Sequence, residues 1–315
     1  MSEQHVDAAI IGAGGAGLTA AIYMARGRRS TVVFERQVTG GQIATTDLVE
    51  NFPGFPEGVN GLDLSMRFEQ QATRFGARMV YEPVDELHVE DDGSFRLETG
   101  DGPYRAESLI VTAGADYNKL GIPGEQRLTG RGVSYCATCD GAFFKDMEVA
   151  VVGGGDAAMD EGLFLTRFAS KVHVIHRRDQ LRADAILQER AFANPKMSFT
   201  WDTVVEEIGG KESVEVARLR NVKTDEPWEM PVAGVFIFIG QTPNSHLLKD
   251  VVELDAGGHA LVDLKMATSI PGLYVAGDVR MNAARQLVSA AGDGATAAVN
   301  AEHYLAERIG PPKME

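Results

Sequence analysis

Short apolar runs, each followed by glycines and a stretch of helical period, recur along the chain. Residues 6–11 read as a strand, 14–26 as an alanine-rich helix and 30–35 as a second strand. The pattern returns with a strand at 148–152, a helix at 155–168 and a strand at 171–176. Strands alternating with helices predict an α/β fold with parallel sheets. Two further apolar strands, 108–112 and 235–239, run into Ala113-Gly114-Ala115 and Gly240, and each reads as the exit from one domain toward the other. Met159, Phe164 and Phe168 fall at helical spacing and belong to a core.

The turns that close the leading strands carry a recognisable chemistry. Gly12, Gly14 and Gly17 make a G-x-G-x-x-G turn between strand and helix, where backbone can approach a pyrophosphate and a helix N-terminus faces it. Glu35 ends the following strand, about 20 residues on, where a carboxylate accepts hydrogen bonds from a ribose. The second copy is Gly153-Gly154-Gly155-Asp156-Ala157-Ala158, a G-x-G-x-x-A turn. Its ribose-binding acid is missing. His176-Arg177-Arg178, with Arg182 beyond, stands there instead, and guanidinium groups suit the 2′-phosphate of NADP. Two such openings predict two Rossmann-like nucleotide-binding domains.

At 315 residues, two domains of about 150 residues each are the natural division. The Gly- and Pro-rich segments 120–134 and 240–250 read as paired connections. The second nucleotide domain, 117–247, is then inserted into a discontinuous first domain of 1–116 and 248–315.

Charge and cysteine usage narrow the class. Thirty basic against forty-five acidic side chains leave a net charge of −15, a surface that repels phosphate backbones and argues against nucleic acid. No charged residue occurs between Ala8 and Ala25, but the four glycines of the turn interrupt that run, the residues before it include Glu3 and Asp7 with no Lys or Arg, and no stop-transfer run follows. A membrane or export segment is therefore not expected, and a soluble cytoplasmic protein is. The two cysteines form one Cys136-Ala-Thr-Cys139 element, which suits a reversible disulfide in a reducing compartment. Asp140 is adjacent in sequence and placed to exchange a proton with the thiols. With no second cysteine pair and no histidine nearby in sequence, no metal site is expected. His88, His173, His246, His259 and His303 have no ligand-like partners in the sequence and read as surface or packing residues.

Taken together, Gly130-Arg-Gly-Val before Cys136-Ala-Thr-Cys-Asp140, the two glycine turns, Gly40-Gly41-Gln42, Glu50-Asn51-Phe-Pro-Gly54, His176-Arg-Arg-Asp179 and Ala276-Gly-Asp278 resemble bacterial low-molecular-weight thioredoxin reductases over nearly the whole chain. The resemblance implies a homodimeric flavoprotein with FAD on the first domain and NADPH on the inserted one, passing electrons through FAD and the Cys136-Cys139 disulfide to thioredoxin. By position it assigns the FAD pyrophosphate turn to Gly12, Gly14, Gly15 and Gly17, and the ribose to Glu35. Gly41, Gln42, Asn51, Gly114, Asp278, Arg285 and Gln286 complete the FAD site. Gly153, Gly155, Asp156 and Ala157 hold the NADPH pyrophosphate, and Arg177, Arg178 and Arg182 its 2′-phosphate. Cys139 faces the flavin, Cys136 attacks the partner disulfide, and Asp140 is the acid and base. Because Cys136-Cys139 and the Gly153 turn lie in the same inserted domain yet both must reach one flavin, that domain is expected to turn as a unit about residues near 116–120 and 245–249, so that disulfide and nicotinamide reach the flavin alternately.

The chain departs from the family's pattern at Tyr135, at Ala142, over 280–284 and in the order Thr112-Ala113-Gly114. These departures bear on the protein partner more than on the chemistry. Two other functions fit the same residues: a flavin-dependent reductase of another dithiol protein or of a low-molecular-weight disulfide, and a non-catalytic NADP-sensing redox switch. A ferredoxin-fed relative would not need Arg177 and Arg178.

Overall fold

A computed structural model describes residues 3–46 and 48–312. The chain forms two compact units, the first of residues 1–116 and 242–315, the second of 117–241. The sequence reading places the second crossing at 247/248.

The first unit begins with β1 (Gln4–Ile11), α1 (Gly15–Arg26) and β2 (Thr31–Phe34). It continues through α2 (Gly61–Arg74), β3 (Arg78–Val80), β4 (Val84–Val89), β5 (Phe95–Thr99) and β6 (Tyr104–Val111). A short strand, β7 (Ala115–Tyr117), leads to the second unit. There follow β8 (Val133–Ser134), α3 (Ala137–Asp140), β9 (Glu148–Val152), α4 (Asp156–Leu165), β10 (Lys171–Ile175), α5 (Ala185–Ala193) and β11 (Met197–Thr200). A meander of β12 (Thr203–Gly209), β13 (Val216–Asn221) and β14 (Pro227–Pro231) precedes β15 (Gly234–Ile237). The chain returns through β16 (Gln241–Pro243) and ends the first unit with β17 (Leu273–Val275) and the long helix α6 (Leu287–Ile309).

In the first unit β3, β2, β1 and β6 lie side by side in parallel. The outer edge of β6 is divided between two partners. Its first half pairs antiparallel with β5, and Leu109 to Val111 pair in parallel with β17. That division explains why β6 starts at Tyr104, before the expected 108. β2 is buried over its whole length and β6 over Ser108 to Val111, and these buried stretches are almost wholly apolar, as expected of parallel strands covered on both faces. α1 and α6 cover one face with small residues: Ala16, Ala20, Ala21, Ala297, Ala298 and Ala301 share one cluster. The approach is so close that a Cβ on Gly294 would collide with the Ala16 carbonyl.

In the second unit β11, β10, β9, β15 and β8 form one parallel sheet. α4 and α5 pack on one face through Met159, Leu165, Leu187 and Ala191. The meander covers the other through Val205, Ile208, Ala217 and Leu219. α4 is shorter than the expected 155–168, because after Leu165 the chain closes in tighter turns, with Phe168 N–H donating to Leu165 O. Met159 is fully buried in this core, while Phe164 and Phe168 pack against each other.

Candidate functional site

In the first unit the glycine turn is built by close approach. Gly12 has φ +103°, and a Cβ there would lie 2.6 Å from the Thr112 carbonyl oxygen. A Cβ on Gly17 would run into the Gly12 carbonyl, so α1 can leave β1 at this angle only with glycine at both positions. A Cβ on Gly14 would meet nothing within 4 Å, so the backbone at the start of α1 borders open space. The Glu35 carboxylate, at the end of β2, accepts hydrogen bonds from Ala13 N–H and Gln37 N–H, each at 2.9 Å. It therefore locks the turn to the second strand.

The remaining residues expected in this site gather on the same turn. Gly40 N–H donates to Ala13 O at 2.8 Å, which sets Gly41 against Gly14. Gln42 donates to Ala115 O, next to Gly114 with its positive φ. Asn51 Nδ2 donates to Gln286 Oε1 at 3.1 Å. Gly15 faces Leu287 at the start of α6, and Gly277 faces Ala16. Asp278 follows β17, and burial pushes its carboxyl above the usual range while Arg285 pulls it down.

One member of this assembly was not legible in the sequence. Asp293 on α6 receives Arg280 through two hydrogen bonds, at 2.7 and 3.0 Å, and also accepts Gly277 N–H at 3.2 Å. It holds the 277–280 turn and so fixes where Asp278 stands. Aspartate inside a helix otherwise reads as a solvated charge, and no spacing rule links it to Arg280.

The second unit repeats the construction with other chemistry. Gly153 (φ +150°) lies where a Cβ would strike the Phe238 carbonyl, and Gly154 presses on the ring of His176. A Cβ on Gly155 would meet nothing within 4 Å. Asp156 Oδ1, at the first position of α4, accepts Asp184 N–H at 2.7 Å, and Arg182 N–H donates to Gly154 O at 2.6 Å. The side chains of Arg177, Arg178 and Arg182 are exposed, as is the neighbouring Ala157 of the turn. His176 is buried and its Nε2 has no hydrogen-bond partner. Burial lowers the pKa of this imidazole, and the fields of Arg182, Arg178 and Arg177 lower it further.

The two cysteines are joined as a disulfide, with Cα atoms 5.3 Å apart. Cys136 caps α3: its Sγ accepts Cys139 N–H at 3.1 Å, and its carbonyl accepts Asp140 N–H at 3.2 Å. Ala137 N–H donates at 2.9 Å to Glu161 Oε2 on α4. Glu161 was also missed by the sequence reading, for the same reason as Asp293. Tyr135, before the first cysteine, donates to the buried Glu125 at 2.8 Å and stacks on Tyr117. That carboxylate also accepts Leu120 and Gly121 N–H, so Tyr135 is bound into the turn at 120–125. Ala142 is exposed, and Phe143 beside it is 49% exposed.

The histidines set aside above do have polar neighbours: His88 meets Glu86, His259 meets Asp255, and His173 lies between Glu148 and Ser198. Among the described residues no group of three or more His, Cys, Asp or Glu side chains could hold a metal ion. Nor is any described helix long and apolar enough to cross a membrane.

Two cradles of this kind fit two dinucleotides. Each has a glycine turn opening on free space at a helix start, one with a carboxylate locked beside it and one with three guanidiniums. Comparison with known proteins agrees. Residues 6–295 match the family described as pyridine nucleotide-disulphide oxidoreductase. The chain is 48% identical over 310 residues to a thioredoxin reductase of Streptomyces coelicolor, covering 97% of this chain and 96% of the relative. It is 46% identical to that of Bacillus subtilis, covering 98% and 97%. The crystal structure of thioredoxin reductase from Streptococcus pyogenes superposes with a TM-score of 0.93 at 44% identity, covering 97% of this chain and all of the other. With a redox disulfide between two dinucleotide cradles in sequence and full-length similarity of this degree, the chain belongs to the bacterial low-molecular-weight thioredoxin reductases, within the pyridine nucleotide-disulphide oxidoreductase family.

Proposed function

We propose that the protein carries electrons from NADPH to oxidised thioredoxin in the cytoplasm, as a homodimer. The observation that carries this reading is the Cys136–Cys139 disulfide in the same unit as a glycine turn followed by the exposed Arg177, Arg178 and Arg182. The first unit is the FAD domain and the second the NADPH domain. FAD, when bound, supplies a relay that takes two electrons from the nicotinamide and gives them to the disulfide.

The chain's own residues then have separate tasks. Gly12, Gly14, Gly15 and Gly17 let the backbone at the start of α1 reach the FAD pyrophosphate, and Glu35 presents its carboxylate to the ribose. Gly41, Gln42, Asn51, Gly114, Asp278, Arg285 and Gln286 orient the rest of that cofactor. Gly153, Gly155, Asp156 and Ala157 hold the NADPH pyrophosphate. The three arginines bind the 2′-phosphate by charge-assisted hydrogen bonds, which selects NADPH over NADH. Cys139 takes the incoming electrons, Cys136 attacks the disulfide of the partner, and Asp140 exchanges the proton that each thiol gains or loses.

The test is turnover of the purified, FAD-loaded protein. It should be yellow, consume NADPH in the presence of oxidised thioredoxin over many cycles, and use NADH poorly. Equal use of both nucleotides would remove the role of the arginines. Reduction of small aromatic disulfides without reduction of thioredoxin would instead favour another dithiol partner, for which exposed Ala142 at the family's aromatic position gives a motive. A single reductive cycle with no turnover would favour a redox switch.

A further inference from the structure

The start of α3 offers three successive backbone amides. Cys139 N–H donates to Cys136 Sγ, Ala137 N–H donates to Glu161 Oε2, and the Thr138 amide also hydrogen-bonds the Glu161 carboxylate. One of the two sulfurs and one carboxylate therefore share the donors of a single turn. Glu161 lies in the second turn of α4, the helix that opens at the nucleotide turn, so the same short helix carries the nucleotide cradle and the anchor of the dithiol. Asp140 is the acid that the family pattern supplies, and Glu161 has no part in that scheme.

We propose that Glu161 is a positioning residue for the dithiol: by occupying the first amides of the turn with a negative charge, it sets how readily the thiols of Cys136 and Cys139 ionise once the disulfide is reduced. This rests on the assignment of Cys136–Cys139 as the redox pair. When the disulfide takes up the electron pair that NADPH supplies, the S–S bond breaks and two protons are bound, giving two thiols. Ionisation of either thiol then returns one proton to solvent and adds a negative charge to the turn whose amides already hold the Glu161 carboxylate. Like charges gathered on one turn oppose each other's formation, so the carboxylate disfavours the thiolate and the thiolate raises the proton affinity of Glu161. The carboxyl is already inclined that way, because its burial pushes its pKa up while the Ala137 and Thr138 amides hold it down.

On α4 itself Asp160 acts on Glu161 and raises it further. α3 contributes Asp140 and the two cysteines. The 3-10 turn Gly141–Phe144 has no ionisable side chain. The elements packed against α4 also carry Glu189 and Arg190 on α5, Glu148 on β9, and Lys171 and His173 on β10.

The experiment uses the FAD-loaded enzyme and the variant Glu161→Gln, which keeps an oxygen for the amides and loses the charge. The chain has two cysteines, so alkylation by iodoacetamide after reduction reads this site alone. The pH midpoint of alkylation should fall in the variant, giving about three- to ten-fold more thiolate at a fixed pH below the midpoint, since a neighbouring like charge has been removed. In equilibrium with dithiothreitol at pH 8, the reduced form should gain by about three-fold, and the two proteins should converge at acid pH where both thiols are protonated. Superimposable profiles in a folded, flavin-loaded variant would overturn the proposal. Should the variant not fold, the unaltered reduced enzyme with 13C-labelled glutamate decides: its glutamate carboxyl infrared bands should change in step with loss of the S–H band as pH rises. Carboxyl bands that do not respond to thiol ionisation would refute coupling between Glu161 and the thiols. Both measurements are independent of thioredoxin, so a protein that fails to reduce thioredoxin leaves them interpretable.

Discussion

Asp293→Ala tests the architecture of the first cradle most directly. The substitution removes the partner of Arg280, whose side chain is only 16% exposed, and leaves Gly277 N–H without its acceptor. Breaking an ion pair from one side while the other charge stays largely buried costs about 3–5 kcal/mol. The lost amide contact overlaps that figure and does not add to it, because both act through the same carboxylate. For a unit of this size each kcal/mol lowers the melting temperature by about 2–4 °C, so the first unit should melt about 6–20 °C lower. Calorimetry of the apoprotein is the appropriate measurement, since two units can melt separately and bound FAD would mask the loss. Flavin retention on gel filtration reads the site itself, as Asp278 is positioned by the turn that Asp293 holds. Asp293→Asn should lose less than Asp293→Ala, and pairing Asp293→Leu with Arg280→Leu should recover most of the stability without restoring flavin affinity. As a reference, Arg96→Ala removes an exposed partner of Glu98 and should cost at most about 1 kcal/mol. If Asp293→Ala melts within about 2 °C of the parent and keeps its flavin, the reasoning fails.

Three further outcomes follow from the second unit. Arg177→Ala should weaken NADPH roughly ten-fold or more while NADH kinetics barely change, because a charge-assisted hydrogen bond to the 2′-phosphate contributes about 1.5–3 kcal/mol; an equal effect on both nucleotides would move the phosphate elsewhere. Cys136→Ser and Cys139→Ser should each abolish thioredoxin reduction and leave flavin reduction by NADPH intact, as followed by bleaching of the flavin band. Burial holds the His176 pKa below 6.5, so the unfolded chain takes up a proton first and the stability of the second unit should fall as pH drops below about 6.5, levelling off beneath the folded value. Denaturant midpoints between pH 8 and 5 should show that slope, and His176→Asn should flatten it.

The residues legible from sequence are those whose conformation is forced. Gly12, Gly17 and Gly153 are demanded by carbonyls that leave no room for a Cβ, and the strands before them end in buried apolar runs, Ala8 to Ile11 and Val149 to Val152, because both faces are covered there. Helix α6 escaped the reading: segment 287–309 carries alanines and glycines where a helix usually shows leucines, because α1 lies too close for larger side chains. The meander β12–β14 was hidden differently. One face completes a core, while the other is laced with cross-strand ion pairs such as Arg218 with Glu229 and Arg220 with Glu206. Such alternation is easily taken for a solvated loop.

Glu161 and Asp293 mark the limit of that legibility. Each is a carboxylate on a helix, and each is given its meaning by backbone amides far away in sequence, Ala137 for one and Gly277 for the other. A carboxylate that accepts main-chain amides needs no particular residue type at the other end, so no motif forms around the pair. Those amides belong to the turns that present Cys136 and Asp278. Substitutions at these helix positions should therefore alter acidity and cofactor retention while every glycine, cysteine and arginine of the recognisable motifs remains in place.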